Sequence, residues 1–178
     1  MANNQNELPN TFIVGAAKAG TTTLYDLLKQ HPEIFFSFDK EPMFFSRDDY
    51  FSRGLDWYRN TYFRRSINFP IRGEASPHYL YWAEKVSPRI KTVFQDQPIK
   101  LIIILRNPIQ RAYSWYWNMV NEGRENLSFY EALLAEDVRL KSSWDKLAEA
   151  GSMQYGYIKG GNYSNQIKCF LKDFPSDS

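Results

Sequence analysis

Two short apolar runs lead directly into helix starts, and this arrangement restricts the fold more than any other feature of the sequence. The first run is Thr11–Val14, which a small-residue loop joins to a helix starting at Thr21. The second is Leu101–Leu105, the clearest buried strand in the chain, which precedes a helix start at Asn107-Pro108. Because strands alternating with helices form parallel sheets, we predict an α/β fold. Its P-loop-like central parallel sheet should be flanked by helices on both faces.

Shorter patterns predict the remaining elements. Ser87-Pro88 is interpreted as an N-cap followed by proline at the first helical position, and Ser128 with Glu131 as a capping box. We expect further strands at 34–36 and 71–75, and helices at 21–30, 55–63, 87–95, 108–122, 129–149 and 163–172. Ligands of such folds bind beyond the carboxyl ends of the strands, so the loops that follow the strands hold the candidate site residues.

Length and composition set limits on the function. A chain of 178 residues predicts one domain at 10–178, preceded by a disordered leader at 1–9. The net charge of +2 is too small to predict nucleic acid as a partner. No apolar run is long enough for a membrane span, and the single cysteine, Cys169, excludes an internal disulfide. We therefore expect a cytoplasmic protein. The sequence does not indicate its oligomeric state.

The loop after the first strand has the composition of an anion cradle. Its small residues and the following helix N-terminus expose backbone N–H groups, to which Lys18 adds a charge and Thr21 and Thr22 add hydroxyls. The loop departs from the Walker A motif because Thr21 stands where the motif has its lysine. A plain strand–turn–helix with a surface lysine is the alternative to an anion site here.

The junction after the second strand offers a second set of anion ligands. Arg106 follows the strand directly, and its guanidinium suits a phosphate group. Ser114 lies on the following helix and can donate to the same group. Arg111 precedes Ser114 by three residues, so we expect the two side chains to share a helix face. Taken alone, Arg106 would more often be a solvated arginine.

The two junctions together resemble the sulfotransferase family that uses 3′-phosphoadenosine 5′-phosphosulfate (PAPS), in particular its heparan sulfate N- and 3-O-sulfotransferases and their bacterial relatives. The segments that carry the resemblance are Val14–Thr22, Arg106–Pro108, Arg111–Ser114, Lys40–Phe45, Gly73–Pro77 and Gly161–Tyr163. At Ala75 the chain departs from carbohydrate-acting members, some of which have lysine there. The resemblance also implies that the family's C-terminal segment, with a basic loop that closes over PAPS, does not follow in this chain.

The resemblance implies a role for each matching residue. Lys18 and Glu41 are the candidate catalytic residues: the lysine contacts the leaving phosphate, and the carboxylate is the base for the acceptor. The implied PAPS ligands are Lys18, Ala19, Gly20, Thr21, Thr22, Arg106 and Ser114. The implied reaction is sulfonyl transfer from PAPS to a hydroxyl or amine acceptor, with a carbohydrate or another small molecule as the partner. The product is adenosine 3′,5′-bisphosphate (PAP), and no metal is expected.

Several alternatives remain open from the sequence. Glu41 also fits a surface carboxylate paired with Lys40, and His78 is a rival base because imidazole suits proton transfer near neutral pH. The alternative functions are a P-loop nucleotide kinase, which the Thr21 substitution disfavours, and a nucleotide-binding domain without catalysis. Aromatic residues such as Tyr81 and Trp82 are expected mainly in the core, with one or two stacked on a sugar or on adenine.

Overall fold

The computed structural model of the protein describes residues 7–95 and 97–174. It has four strands and eight α-helices within those ranges. The strands are β1 Thr11–Gly15, β2 Ile34–Phe36, β3 Ile71–Ala75 and β4 Lys100–Ile103. The helices are α1 Thr21–Leu28, α2 Asp48–Phe51, α3 Gly54–Tyr62, α4 His78–Tyr81, α5 Ala83–Phe94, α6 Pro108–Asn121, α7 Phe129–Glu149 and α8 Tyr163–Asp173, with a 3-10 turn at Lys159–Gly161.

The four strands form one parallel sheet in the order β2-β3-β1-β4. Thr11 of β1 pairs with Gly73 of β3 on one side and with Lys100 of β4 on the other. The predicted α/β fold with a central parallel sheet is therefore confirmed. Because all four strands run the same way, the loops that follow them meet at one edge of the sheet.

The most buried strand is β1, and the expectation that Leu101–Leu105 would be the clearest buried strand is wrong. All five residues of β1 are buried, whereas β4 is half-buried and Leu105 is 46% exposed. The reason is position: β1 lies between two strands, and β4 forms an edge of the sheet in the described structure. Apolar composition alone does not distinguish an inner strand from an edge strand.

Aromatic side chains fill the core beside β1. Phe45 contacts Phe12, Phe44 and Phe94, with ring centroids 5.9, 5.0 and 6.3 Å apart. Phe44 also stacks on Tyr58 at 4.2 Å. This packing fixes the loop after β2, since Phe44 and Phe45 belong to it and are fully buried. The high aromatic content of the sequence thus serves mainly the core.

Ordered packing begins before residue 10. Residues 1–6 of the predicted leader lie outside the described residues, but Leu8 is 5% exposed and belongs to the core. The Leu8 carbonyl accepts a hydrogen bond from Arg72 Nε at 2.8 Å, and the Glu7 carbonyl accepts one from Ser66 Oγ at 2.7 Å. Residues 7–9 are therefore attached to the domain, because a buried leucine contributes apolar contacts that a disordered leader lacks.

The helix α5 begins earlier than its sequence indicates. It starts at Ala83, so Pro88 lies inside the helix and the predicted N-cap at Ser87 is wrong. The Ser87 hydroxyl instead donates to the Asp173 carboxylate at 2.7 Å and lies 3.2 Å from the Cys169 carbonyl, both on α8. Packing between α5 and α8 thus outweighs the local preference of a Ser-Pro pair for a helix start.

The predicted helix starts at 107–108 and 128 are confirmed. Asn107 is the N-cap of α6, and its Oδ1 accepts hydrogen bonds from the backbone N–H groups of Ile109 and Gln110 at 3.1 and 3.2 Å. Ser128 and Glu131 form the capping box of α7. Within residues 7–95 and 97–174, no helix combines the length and the apolar composition needed to cross a membrane.

We predict that Asn107→Ala lowers the free energy of unfolding by about 1 kcal/mol, because two N–H groups at the start of α6 lose their side-chain acceptor. Asn107→Asp is the matched control, since aspartate keeps an oxygen at the same place. Urea unfolding of the three proteins measures the effect. An alanine variant as stable as the aspartate variant would contradict the role of this cap.

Candidate active site

The two sequence-predicted junctions open into one cleft at the carboxyl ends of the strands. The cleft has a volume of about 520 Å³. Its lining includes the predicted residues Lys18, Gly20, Thr21, Thr22, Glu41, Arg106 and Ser114, together with His78. Of the predicted ligands, Ala19 alone is absent from this lining, and it packs against the core instead. Residues that are far apart in sequence therefore meet where a parallel sheet places its ligands.

The first junction presents both charge and free backbone donors to the cleft. Gly20 is the N-cap of α1 and has a φ of 98°, a conformation that glycine adopts without strain. No side chain caps this helix start, so its first N–H groups remain available to an anion. Lys18 Nζ donates to Asn118 Oδ1 on α6 at 2.9 Å, which holds the ammonium group inside the cleft.

The second junction is tied to the first by a direct hydrogen bond. Arg106 donates from its guanidinium to the Lys18 carbonyl at 3.1 Å, and its own carbonyl accepts from Tyr163 Oη at 3.0 Å. Arg106 and Ser114 also line an adjoining cavity of about 610 Å³, which shares Lys18 and Asn118 with the cleft. Arg106 is exposed, so its remaining N–H groups can bind a phosphate.

The expectation that the side chains of Arg111 and Ser114 share a helix face is wrong, because the two side chains have different environments. Arg111 is fully buried, and its guanidinium donates to the carbonyls of Gly156, at 3.1 Å, and Tyr157. Gly160 packs directly against the guanidinium, with no space for a side chain. Burial lowers the pKa of Arg111. Because its side chain points under the loop before α8, Arg111 supports the structure while Ser114 faces the cleft.

The Glu41 carboxylate lies between the Lys40 ammonium group and the His78 imidazole. Its Oε1 is 2.6 Å from Lys40 Nζ, and its Oε2 is 3.5 Å from His78 Nδ1. Glu41 has a φ of 65°, and its N–H donates to the Ala75 carbonyl at 3.0 Å. Lys18 likewise has a positive φ, of 70°. Non-glycine residues pay a conformational cost in this region, and such residues concentrate at functional sites.

His78 borders the same cleft but is mostly buried. Its side chain is 15% exposed, and its ring lies edge-on to Trp115 with centroids 5.8 Å apart. Burial lowers the pKa of His78, while the nearby Glu41 carboxylate acts in the opposite direction. The imidazole is therefore kept neutral near neutral pH, so it can accept a proton.

Glu74 is a buried acidic residue whose role the sequence did not reveal. It is fully buried in β3, and its carboxylate accepts hydrogen bonds from Ser76 Oγ at 2.6 Å, from Tyr79 Oη at 2.5 Å and from Tyr58 Oη. Burial raises the pKa of Glu74, and the three hydroxyls act against that effect. The sequence signal was an acidic residue within a predicted strand, and a carboxylate that is buried in a strand needs hydrogen-bond partners.

Asn118 is a cleft residue that sequence reasoning did not single out, whereas the pairing of Lys40 with Glu41 was one of its open alternatives and is present. Asn118 lies four residues after Ser114 on α6, and its Oδ1 accepts the hydrogen bond from Lys18. The helical spacing could therefore have identified it. Among the residues that the structure describes, no group of three or more His, Cys, Asp or Glu side chains is arranged to hold a metal ion.

Comparisons with known proteins identify the family of the chain. The model of the sulfotransferase domain family matches residues 8–177. The chain is 32% identical to human bifunctional heparan sulfate N-deacetylase/N-sulfotransferase 2 and 31% identical to mouse heparan sulfate glucosamine 3-O-sulfotransferase 5, over 95% of its length in both cases. It spans only 19% and 46% of those two proteins.

A solved structure is also similar. The crystal structure of a sulfotransferase from Alicyclobacillus acidocaldarius superposes with a TM-score of 0.80 at 34% identity. That match covers 96% of this chain and 70% of the bacterial chain. The family resemblance predicted from the two junctions is thereby confirmed.

We predict that His78 makes the protein less stable in acid. Because the pKa of His78 is lowered in the folded state, the unfolded state binds more protons once the pH falls below about 6.5, and the free energy of unfolding decreases there. His78→Gln should reduce this slope in urea unfolding between pH 5 and 8. His31→Gln is the control, since His31 is exposed and is the second of the two histidines. Equal slopes for wild type and His78→Gln would contradict the prediction.

Proposed function

The chain belongs to the sulfotransferase domain family, and on that premise we propose that it transfers a sulfonyl group from PAPS to a hydroxyl or amine acceptor. The observation that carries the proposal is the convergence of two strand-to-helix junctions on one cleft. Arg106 and Lys18 are 88 positions apart in sequence and are joined by a hydrogen bond at its wall. Two neighbouring anion sites that open into one cleft suit a nucleoside that carries phosphate groups at two positions.

The residues of the cleft fit such a donor. Lys18, Thr21 and Thr22, with the free N–H groups at the start of α1, would hold the 5′-phosphosulfate. Arg106 and Ser114 would hold the 3′-phosphate from the adjoining cavity. When bound, PAPS supplies a sulfonyl group on a phosphate leaving group.

Two side chains of the cleft would perform the chemistry. The Lys18 ammonium would stabilise the negative charge that grows on the leaving phosphate oxygen. Glu41 would accept the proton of the acceptor hydroxyl or amine, and Lys40 holds the carboxylate in place through a hydrogen bond of 2.6 Å. His78 remains the second candidate for the base, because its Nδ1 lies at the same side of the cleft without a hydrogen-bond partner in the described structure.

The acceptor is proposed from the relatives. Two of the similar proteins are named for heparan sulfate, so we propose a carbohydrate acceptor for this chain. The alternative of a nucleotide kinase is disfavoured, because Thr21 occupies the place of the Walker lysine at the start of α1. The cytoplasmic location stays a prediction.

The proposal is tested by two measurements on the same preparation. Calorimetric titration with PAP measures binding at the cleft, and incubation with labelled PAPS and a panel of carbohydrate acceptors measures transfer. Binding of PAP together with transfer supports the proposal. Binding without transfer would favour the alternative of a nucleotide-binding domain without catalysis, and absence of both would reject the assignment of the cleft.

We predict that Arg106→Ala weakens PAP binding by tenfold to a hundredfold, since a charged hydrogen bond contributes about 1.5–3 kcal/mol. The loss should be much smaller for adenosine 5′-phosphate, which lacks the 3′-phosphate. Arg64→Ala is the matched control, because Arg64 is exposed and does not line the cleft. Equal losses for both nucleotides would contradict the assignment of Arg106 to the 3′-phosphate.

We predict that Glu41→Gln lowers kcat by about 10²- to 10⁴-fold and leaves PAP affinity unchanged, because glutamine cannot accept the proton. Lys18→Ala should lower kcat by about 10²- to 10³-fold and also weaken PAP binding. His78→Gln decides between the two bases. If Glu41→Gln remains fully active and His78→Gln is inactive, His78 is the base and the role given to Glu41 is wrong.

A further inference from the structure

Exposed apolar side chains concentrate on two neighbouring helices of the protein. Within residues 7–95 and 97–174, α6 and α7 carry more of the exposed large apolar residues than any other element: Ile109, Tyr113 and Trp117 on α6, and Tyr130, Leu134 and Val138 on α7. The two helices adjoin, because the rings of Tyr113 and Phe129 lie 5.2 Å apart. Single exposed apolar residues are normal on a protein surface, but a contiguous set indicates a surface that binds another molecule.

On α7 the exposed apolar residues form a continuous stripe. Tyr130, Leu134 and Val138 follow one another at intervals of four, so they lie on neighbouring turns of one helix face. Their exposed fractions are 70%, 67% and 71%, whereas Ala132 and Leu140 on the opposite face are buried. A helix with apolar residues on its outer face as well as on its inner face is typical of a helix that is covered on both sides.

Charged residues of both signs border this α7 stripe. Glu131 is exposed, and its Oε2 accepts the hydrogen bonds from Ser128 in the capping box, which leaves its Oε1 available. Asp137 and Lys141 are also exposed, and neither forms an ion pair in the described part of the chain. A membrane surface favours basic residues around an apolar stripe, so the two carboxylates argue against a lipid partner. A face that carries both charges can instead complement a copy of itself.

The spacing of these charges selects one arrangement of two α7 helices. In an antiparallel pair with its twofold axis beside position 136, Glu131 of one copy faces Lys141 of the other, and Leu134 faces Val138. An axis beside position 134 would instead bring Glu131 against Asp137, two charges of the same sign. In the favoured arrangement Asp137 lies next to the axis, near the Asp137 of the second copy, so its charge opposes the association.

We propose that a second copy of this chain binds to the α7 stripe and forms a dimer with twofold symmetry. Leu134 and Val138 of each copy pack on those of the other, and Glu131 and Lys141 form an ion pair at each end of the contact. A contact of this kind uses the same surface on both copies, so the assembly closes at two chains. The proposal goes beyond sulfonyl transfer, because the stripe contains no residue that lines the cleft.

Sedimentation equilibrium of the chain tests the proposal at protein concentrations from about 1 μM to about 1 mM, a range that includes weak associations. The measured mass should rise with concentration from 21.0 kDa toward twice that value. Leu134→Glu should weaken the dimer about tenfold or more, because it places a charge in the apolar contact. Leu27→Glu is the matched control: it makes the same change on α1, at a leucine that is 61% exposed.

An exchange of charges tests the arrangement of the two helices. Lys141→Glu should weaken the dimer about tenfold, because it turns an attraction into a repulsion at both ends of the contact. Adding Glu131→Lys to that variant should restore most of the affinity. Asp137→Asn should tighten the dimer about twofold, because a like charge beside the axis is removed. Lys168→Glu is the control, since Lys168 is exposed on α8.

Each alternative outcome rejects the dimer or its geometry. A mass that stays at 21.0 kDa overturns the proposal, as does a dimer that Leu134→Glu and Leu27→Glu weaken equally. Failure of the double variant to restore the dimer, with circular dichroism like that of the wild type, overturns the antiparallel arrangement. If the double variant loses helix, equal affinities of Lys141→Glu and Lys168→Glu overturn that arrangement instead.

A lipid occupant is tested by co-sedimentation with phosphatidylglycerol vesicles. Vesicle binding by a monomeric protein, abolished in Leu134→Glu, would assign the stripe to lipid and overturn the proposal. None of these measurements uses a nucleotide, so their result does not depend on the proposed function.

Discussion

The buried Glu74 carboxylate, with the hydroxyls that surround it, is the constraint on which the position of the candidate base depends. Ser76 and Tyr79 donate to Glu74, and the same hydroxyl oxygens accept from the backbone N–H groups of Met43 and Phe45 at 3.0 and 3.1 Å. One carboxylate in β3 therefore holds the loop that follows β2, and that loop contains the candidate base, Glu41. A carboxyl group this deeply buried is tolerated only when it is hydrogen-bonded, so the network tolerates few alternative arrangements.

The side of the cleft that we propose to bind the nucleotide depends on the pairing of β1 with β4. The ladder continues beyond both strands, because the N–H of Ala16 donates to the Ile104 carbonyl and the N–H of Ile104 donates to the Gly15 carbonyl, both at 2.8 Å. Lys18 and Arg106 each follow two residues after these bonds. Their separation is therefore set by backbone hydrogen bonds in the sheet, which is a more rigid reference than the loops themselves.

The sequence predicted those features that local chemistry decides. The strand–loop–helix of the first junction and the Asn107 cap of α6 rest on signals within a few residues of each other, and both are confirmed. Predictions from the sequence were wrong where contacts between distant segments determine the structure. Pro88 lies inside α5 because Ser87 bonds to α8, and Arg111 is buried because the loop before α8 covers it. That Glu74 organises the site could not be predicted, since its partners come from α3, α4 and the loop before α4.

The short helix α4 lies between the candidate cleft, which it lines through His78, and a pocket of about 370 Å³, which it lines through Tyr81. Two contacts fix the helix between these ends. Tyr79 is bonded to Glu74, and Leu80 packs so closely on Gly15 that a methyl group there would lie 2.4 Å from its Cβ. A helix anchored on the central strand and on a buried carboxylate cannot shift without disrupting the core. The wall that His78 contributes to the cleft is therefore held in place by the central strand and by Glu74.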